Sequence, residues 1–143
     1  MFNIKDQALR LFDYLNQQHY NIKNTIEEEV DKKLPFVDVL IDNNGPLKTS
    51  VYHKSTFTGL YTCFESFIPF KYELGLIRTL VDRTYKISNN WFSFDVGIKE
   101  LIKTLGRNAY PPYLINNTVK RYLHQKYSQN ENKVEDKNAR QTH

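Results

Sequence analysis

The chain has 143 residues, and 40% of them are hydrophobic, enough for the core of one globular domain or of two small lobes. Its single cysteine, Cys63, excludes an internal disulfide, and no apolar run approaches the roughly 18 residues that a membrane span needs. The net charge of +4 is uneven: residues 1–47 carry five basic and eight acidic side chains, whereas residues 48–126 carry twelve and five. That basic stretch is typical of a surface facing a polyanion, with ordinary solubilising charge as an equal alternative.

Two elements are predicted before residue 30. Apolar side chains recur at helical spacing through residues 5–18, namely Ala8, Leu9, Phe12 and Leu15. They predict an amphipathic helix. Residues 21–28 alternate around Ile22 and Ile26, which predicts a strand. Exposed edges of such strands favour pairing with another chain, so self-association is a further expectation.

A β-hairpin is predicted next. Two apolar, β-branched runs at residues 35–41 and 47–53 flank a turn that contains Asn44-Gly45, and Asn-Gly is the strongest short-range hairpin signal. Apolar residues on both faces of the first run imply cover on both sides. Asp38 interrupts one of those faces, and we expect it to pair with a basic side chain or to lie at an edge.

After Ser66 the hydrophobic period changes to 3.6 residues, which predicts a helix with Pro69 in its first turn and an end near Ser88. Its apolar face is predicted to comprise Tyr72, Leu76 and Leu80. Gly75 lies inside this helix. Because glycine costs about 1 kcal/mol in a helix interior, Gly75 is expected at a close contact with another helix.

Two further helices complete the predicted fold. One begins at Ser93 as N-cap and stops at Gly106, and the next begins at Pro112. Their arrangement fits the outline of a helix-turn-helix, which any helical hairpin shares. Polar side chains of the last helix lie off its apolar stripe: Asn116, Asn117, Lys120, Arg121 and His124. Such residues suit base edges and phosphates, but they also populate any solvated helix face.

Three ordered motifs run through most of residues 9–123. They read Tyr14-Leu15-Asn16-x-x-His19-x-Asn21-Ile22-Lys23-x-Thr25-x-Glu27-Glu28-Glu29, then Leu34-Pro35-Phe36-Val37-Asp38-Val39-Leu40-Ile41, then Val51-Tyr52-x-Lys54-x-Thr56-x-Thr58-Gly59-x-Tyr61. Together they resemble the reverse transcriptase of Penelope-like retroelements. The resemblance implies that this stretch follows the catalytic hairpin and comprises the end of the palm, the primer-grip hairpin, the thumb helices and a helix-turn-helix-like module.

The chain also departs from that family. It holds no Tyr-x-Asp-Asp motif, so the carboxylates of two-metal nucleotidyl transfer are missing, and no catalytic residue, metal site or cofactor is expected. His53 stands where the family usually has arginine, and Ser55 where it usually has proline. The resemblance divides residues 1–126 into a partial palm-like region (1–62) and a helical thumb or helix-turn-helix-like domain (63–126). Residues 127–143 are polar and nearly free of apolar side chains, and a disordered tail is expected there.

The sequence thus predicts an α+β fold: an N-terminal helix and a small antiparallel sheet with a hairpin, followed by a three-helix helix-turn-helix-like module. The expected function is non-catalytic binding to the backbone of a DNA duplex or an RNA/DNA hybrid. The candidate contact residues are Tyr52, Lys54, Thr56, Thr58, Lys71, Arg78, Lys120 and Arg121. Tyrosine offers a stacking face, lysine and arginine a charge for phosphate, and threonine a neutral donor.

Other interpretations stay open. The hairpin residues also fit a hydroxyl-rich β-edge with ordinary cross-strand pairs. The alternatives to nucleic-acid binding are a helical protein-interaction module and a non-functional retroelement remnant. A third is one piece of a longer polymerase that carries the catalytic aspartates elsewhere. Without an apolar signal-peptide core, an intracellular location, nuclear or cytoplasmic, is expected.

Overall fold

The computed structural model describes residues 4–140, with side chains from residue 5 to residue 128. Its elements, in chain order, are α1 (Ile4–Gln17), β1 (Lys33–Phe36), β2 (Val39–Asp42), β3 (Lys48–Val51), α2 (Phe70–Ile87), α3 (Trp91–Arg107) and α4 (Pro112–Arg140). This order confirms the predicted α+β fold. The disorder predicted for residues 127–143 falls on a stretch whose backbone continues α4 as far as Arg140, while residues 141–143 lie outside the described residues.

The N-terminal helix forms as predicted, but the strand predicted at residues 21–28 does not. That segment has a turn at residue 21 and no strand after it, and Ile22 is 60% exposed. A strand needs a neighbouring edge for its backbone groups, and none lies beside this segment in the described residues. It is held to α1 instead by side chains: Asn16 Oδ1 accepts a 2.6 Å hydrogen bond from the Asn24 amide, and Lys5 Nζ lies 3.0 Å from Glu28 Oε2.

The prediction of a single strand over residues 35–41 is wrong, because the chain folds back on itself within this range. β1 and β2 pair antiparallel, with Phe36 opposite Val39 and a two-residue turn between them. Val37 in this turn has φ of 54°, which a β-branched residue rarely adopts. Tertiary contacts hold the turn: the Asp38 carboxylate lies 3.0 Å from Arg83 Nη2 on α2, and the Asp38 carbonyl accepts a 2.7 Å hydrogen bond from the Tyr52 amide.

The predicted hairpin turn is confirmed between β2 and β3. Asp42 pairs with Lys48 across its base, and Asp42 Oδ1 accepts a 2.9 Å hydrogen bond from the Asn44 amide. Gly45 has φ of 100°, a conformation that glycine adopts without strain. The outer edge of β3 is tied to the helices, since Thr49 Oγ1 donates to the Ile87 carbonyl at 2.6 Å. The sheet therefore packs beside α2 and α3.

The hydrophobic core lies where α2, α3 and α4 meet. Its buried side chains are Ile77, Leu80, Val81, Phe94, Ile98, Leu101, Leu105, Tyr110 and Ile115. The buried face of α2 is rotated from the predicted one, so Tyr72 is 60% exposed. The rotation follows from α2 packing against α3 and α4 at once.

Close helix packing occurs at a different glycine from the one predicted. An added Cβ at Gly75 would meet nothing within 4 Å, whereas one at Gly97 on α3 would lie 2.6 Å from Thr84 Cγ2 on α2. The prediction for Gly75 is therefore wrong, and Gly97 is the residue that allows α3 to approach α2.

The start of α3 also differs from the prediction. Asn90, not Ser93, is the N-cap, since Asn90 Oδ1 accepts a 2.8 Å hydrogen bond from the Ser93 amide. Trp91 then packs its indole edge-on against Phe94, at 5.5 Å between ring centroids, and stacks near-parallel with Tyr127 of α4 at 6.1 Å. The first turn of α3 is thus joined to the middle of α4.

We expect Gly97→Ala to lower the free energy of unfolding by about 1–2 kcal/mol, because the new methyl group overlaps the stiff Thr84 side chain. Gly75→Ala is the matched control and should raise it by about 0.5–1 kcal/mol through helix propensity. Urea denaturation followed by circular dichroism measures both. Equal effects of the two substitutions would contradict the close approach at Gly97.

Candidate nucleic-acid interface

The connection between α3 and α4 is a tight, fully bonded helix end. The Tyr110 amide donates to the Leu105 carbonyl at 3.1 Å, and the Ala109 amide donates to the Gly106 carbonyl at 3.1 Å. This is the Schellman pattern, with Ala109 in the left-handed position at φ of 64°. Leu105 and Tyr110 are both buried, as the hydrophobic contact of that motif requires. The turn fixes the direction in which α4 leaves.

One buried side chain, Asn108, ties this turn to the chain that precedes α2. Its Oδ1 accepts a 2.9 Å hydrogen bond from the Tyr61 amide, and its Nδ2 donates to the carbonyls of Gly59 at 2.8 Å and Thr104 at 2.9 Å. The Asn108 carbonyl also accepts from the Phe64 amide at 3.0 Å. Residues 59–64 are therefore attached directly to the α3–α4 turn.

Asn108→Ala should lower the free energy of unfolding by about 2–3 kcal/mol, because it leaves partly buried backbone groups without partners. Asn117→Ala, on the exposed part of α4, should change it by no more than about 0.5 kcal/mol. Chemical denaturation of both variants measures the difference. A loss at Asn108 no larger than that at Asn117 would show that water replaces the network.

The first half of α4 presents a polar face to solvent. Its exposed side chains are Tyr113, Asn116, Asn117, Lys120, Arg121 and His124, while Ile115 and Thr118 are buried beneath them. The exposed polar placement predicted for this helix is confirmed. Within the part of the chain whose side chains are described, Lys120 and Arg121 form no ion pair. Both cations are therefore available to a phosphate or another anion.

A groove between α2 and α4 brings together two of the predicted contact residues. This α2–α4 groove, of roughly 340 Å³, is lined by Leu74, Arg78, Thr79, Asp82, Thr118, Arg121, Tyr122 and Gln125. Arg78 comes from α2 and Arg121 from α4, and both are exposed. Their positions lie 43 residues apart in the chain (121 minus 78), so only the tertiary fold could bring them to one groove.

The acidic residue of this groove, Asp82, is already engaged. Its Oδ1 accepts a 2.7 Å hydrogen bond from the Tyr122 hydroxyl, and its Oδ2 lies 2.5 Å from Lys86 Nζ. Lys126 Nζ lies 3.7 Å from Oδ1. The hydrogen bonds from Lys86 and Tyr122 lower the pKa of Asp82, while burial and the Asp82 hydrogen bond raise the pKa of Tyr122.

Because the folded-state pKa of Asp82 is below its ordinary value of 3.8, its stabilising contribution is present above that pH and is lost as the pH falls through the folded pKa. We expect Asp82→Asn to have a lower free energy of unfolding than the native chain at pH 7. This difference should become smaller below pH 3.8. Asp95→Asn is the control, because Asp95 forms only an exposed i,i+4 pair with Lys99 and should cost little at any pH. Denaturation between pH 7 and pH 3 tests this, and a constant gap would contradict it.

The hairpin contact residues lie in a different environment. Tyr52, Lys54 and Thr56 line an open cleft with Glu27, Glu28 and Asp38. Lys33 lines the same cleft, and two of its three carboxylates are paired, Glu28 with Lys5 and Asp38 with Arg83. The charge of this cleft is therefore mixed, whereas the lining of the α2–α4 groove holds two arginines and one aspartate. Burial, and secondarily the nearby Arg83, lower the pKa of His53, so this imidazole adds no positive charge at neutral pH.

The remaining predicted residues take part in neither site. Thr58 is exposed, and its hydroxyl oxygen accepts a 3.3 Å hydrogen bond from the Leu60 amide. Lys71 lies at the first turn of α2, with Nζ 5.0 Å above the Tyr72 ring. Asn108 and Asp82 were not predicted as site residues. A polar residue right after a predicted helix was the one available signal for Asn108.

The comparison with known families agrees with this geometry. Residues 60–120, which take in α2, α3 and the start of α4, match the animal helix-turn-helix domain. No match was found among curated proteins or among solved structures. The matched range begins next to Tyr61, the residue held by Asn108, and ends in the exposed polar part of α4.

Two further properties bear on function. Within residues 4–140, no helix combines the length and the apolar character needed to cross a membrane. Among the described side chains, no group of three or more histidine, cysteine, aspartate or glutamate residues is placed to hold a metal ion.

Proposed function

We propose that the chain is a non-catalytic, nucleic-acid-binding module of the helix-turn-helix type that contacts the backbone of a duplex or an RNA/DNA hybrid. α3 and α4 form the two helices of the motif, and α4 is the helix that meets the nucleic acid. Binding is mainly electrostatic and only weakly sequence-specific, because phosphate contacts dominate affinity in such modules.

One observation carries this proposal: α4, the last helix of the range that matches a helix-turn-helix family, exposes amides together with cations that form no ion pair among the described side chains. Asn116 and Asn117 offer the donor and acceptor pair that adenine edges accept, and Lys120 lies one helical turn further on. The turn that orients this helix is rigid, because Asn108 and the Schellman bonds hold it. A rigid, exposed helix is what major-groove or backbone docking requires.

We further propose that the module derives from the segment of a Penelope-like reverse transcriptase that follows its catalytic hairpin. The support is the order of the sequence motifs, followed by the helix-turn-helix match at residues 60–120. In this proposal the chain has no polymerase activity of its own and acts inside the cell. Upstream genomic sequence tests the origin: an in-frame Tyr-x-Asp-Asp just before this segment supports it, and unrelated coding sequence contradicts it.

A second candidate function, protein interaction, is favoured by apolar side chains exposed on α1. Leu11 is 56% exposed, and Leu9 and Leu15 are also exposed. Isolated exposed apolar residues are ordinary, whereas several on one short helix indicate a surface that another chain could cover. This candidate predicts binding to protein that does not weaken with salt.

The proposed function is tested by fluorescence anisotropy of the whole chain with labelled single-stranded, duplex and hybrid oligonucleotides over a range of salt concentrations. We expect duplex or hybrid to bind, with affinity falling steeply as salt rises. Lys120→Ala should reduce the slope of log affinity against log salt by roughly one, because one phosphate contact is lost. Arg10→Ala, a cation on α1, is the control and should leave the slope unchanged.

Undetectable or salt-insensitive binding to all three ligands would contradict the proposal and favour protein interaction. Equal slope changes for Lys120→Ala and Arg10→Ala would show that net charge, not the face of α4, governs binding.

A further inference from the structure

The α2–α4 groove has the charge of an anion site. Arg78 and Arg121 extend into it from two helices, and within the described residues neither forms an ion pair or a hydrogen bond. Gln125 adds an amide at the same groove. Two guanidinium groups at one concave surface would repel each other in the absence of a bound anion. The two arginines therefore bring positive charge from both helices to one concave surface.

The acidic member of the groove, Asp82, is already paired with other groups. It accepts hydrogen bonds from Tyr122 and Lys86 and lies 3.7 Å from Lys126 Nζ, so two ammonium groups balance its negative charge. Two ammonium groups and one carboxylate leave this end of the groove net positive. The whole set of five charged side chains thus carries a surplus of positive charge.

The hydroxyl groups of the two groove threonines are not available to donate to an anion. Thr79 Oγ1 donates to the Gly75 carbonyl at 2.9 Å, and Thr118 Oγ1 donates to the Leu114 carbonyl at 2.8 Å. Their hydroxyl protons are engaged within their own helices. The remaining donors at the groove are the Gln125 amide and the guanidinium N–H groups, and the latter form the planar fork that matches a phosphate group.

We propose that the α2–α4 groove binds one phosphate group, clamped by Arg78 and Arg121 together. Arg121 lies one turn along α4 from Asn117, so the clamped phosphate adjoins the exposed face of that helix. That the phosphate belongs to a nucleic-acid strand rests on the proposed function. The clamp would then fix the register of α4 on the strand, whereas Lys120 adds charge without that geometry.

A first experiment tests the groove without nucleic acid. The arginine side-chain Nε–Hε resonances are followed by NMR while inorganic phosphate replaces chloride at constant ionic strength. We expect saturable shifts at Arg78 and Arg121 and none at Arg10 on α1. Equal, non-saturating shifts at all three arginines would overturn the clamp. Asp82→Asn should leave the saturable shifts in place, because Asp82 does not hold either arginine.

A second experiment uses the salt dependence of duplex binding. If one phosphate is shared, Arg78→Ala should reduce the slope of log affinity against log salt by about one. The double variant Arg78→Ala/Arg121→Ala should reduce it by the same amount, because both substitutions remove the same phosphate contact. Arg121→Lys should keep the slope but weaken affinity, because lysine lacks the bidentate fork. A double-variant reduction of about two, or an unchanged slope, would overturn the shared site.

The two proposals fail in different ways. Saturable phosphate binding without duplex binding would remove the nucleic-acid function and leave the phosphate site. Duplex binding with a normal Lys120→Ala effect but no effect at Arg78 or Arg121 would remove the clamp and leave the function.

Discussion

The position of α4 depends on the side chain of Asn108. This one amide, which itself belongs to the turn, bonds backbone groups of two further segments, namely the stretch before α2 and the end of α3. A buried amide with all of these partners satisfied is costly to remove, because each partner would otherwise be desolvated without compensation. The orientation of the exposed face of α4 is therefore set by this hydrogen-bonded turn.

The line of contact between α2 and α4, here called the seam, has an apolar side that faces the core and a charged side that faces solvent. On the core side, apolar residues of α2 and α4 pack together, and Tyr122 extends its hydroxyl to Asp82 at the seam's edge. On the solvent side, the same two helices contribute Arg78 and Arg121. Asp82 is paired with Lys86 and Lys126 and not with these arginines. An ion cluster around Asp82 therefore lies beside two arginines that form no ion pair with any side chain from residue 5 to residue 128.

Local signals predicted much of the architecture. The Asn-Gly pair located the β2–β3 turn, Pro69 and Pro112 marked the starts of α2 and α4, and the polar stripe of α4 is exposed as expected. These features depend on neighbours a few residues away. The Asp38 pairing with a basic side chain was also foreseeable, because a lone carboxylate in an apolar run needs a partner.

The rest could not be read locally. The fold-back at Val37 is held by Arg83 and Tyr52, which lie far along the chain, and the close packing at Gly97 depends on Thr84 of another helix. The grouping of Arg78 with Arg121 has the same origin in the tertiary fold. Sequence periodicity predicts which face of a helix is apolar, but it does not give the partner that each side chain meets.

The stacking of Trp91 on Tyr127 gives the molecule a built-in optical probe. Trp91 is the chain's one tryptophan, and it lies at the start of α3 against a ring from the middle of α4. Its emission therefore responds when the two helices separate or shift along each other. Engagement of α4 by a ligand can be followed through this indole without attaching any dye.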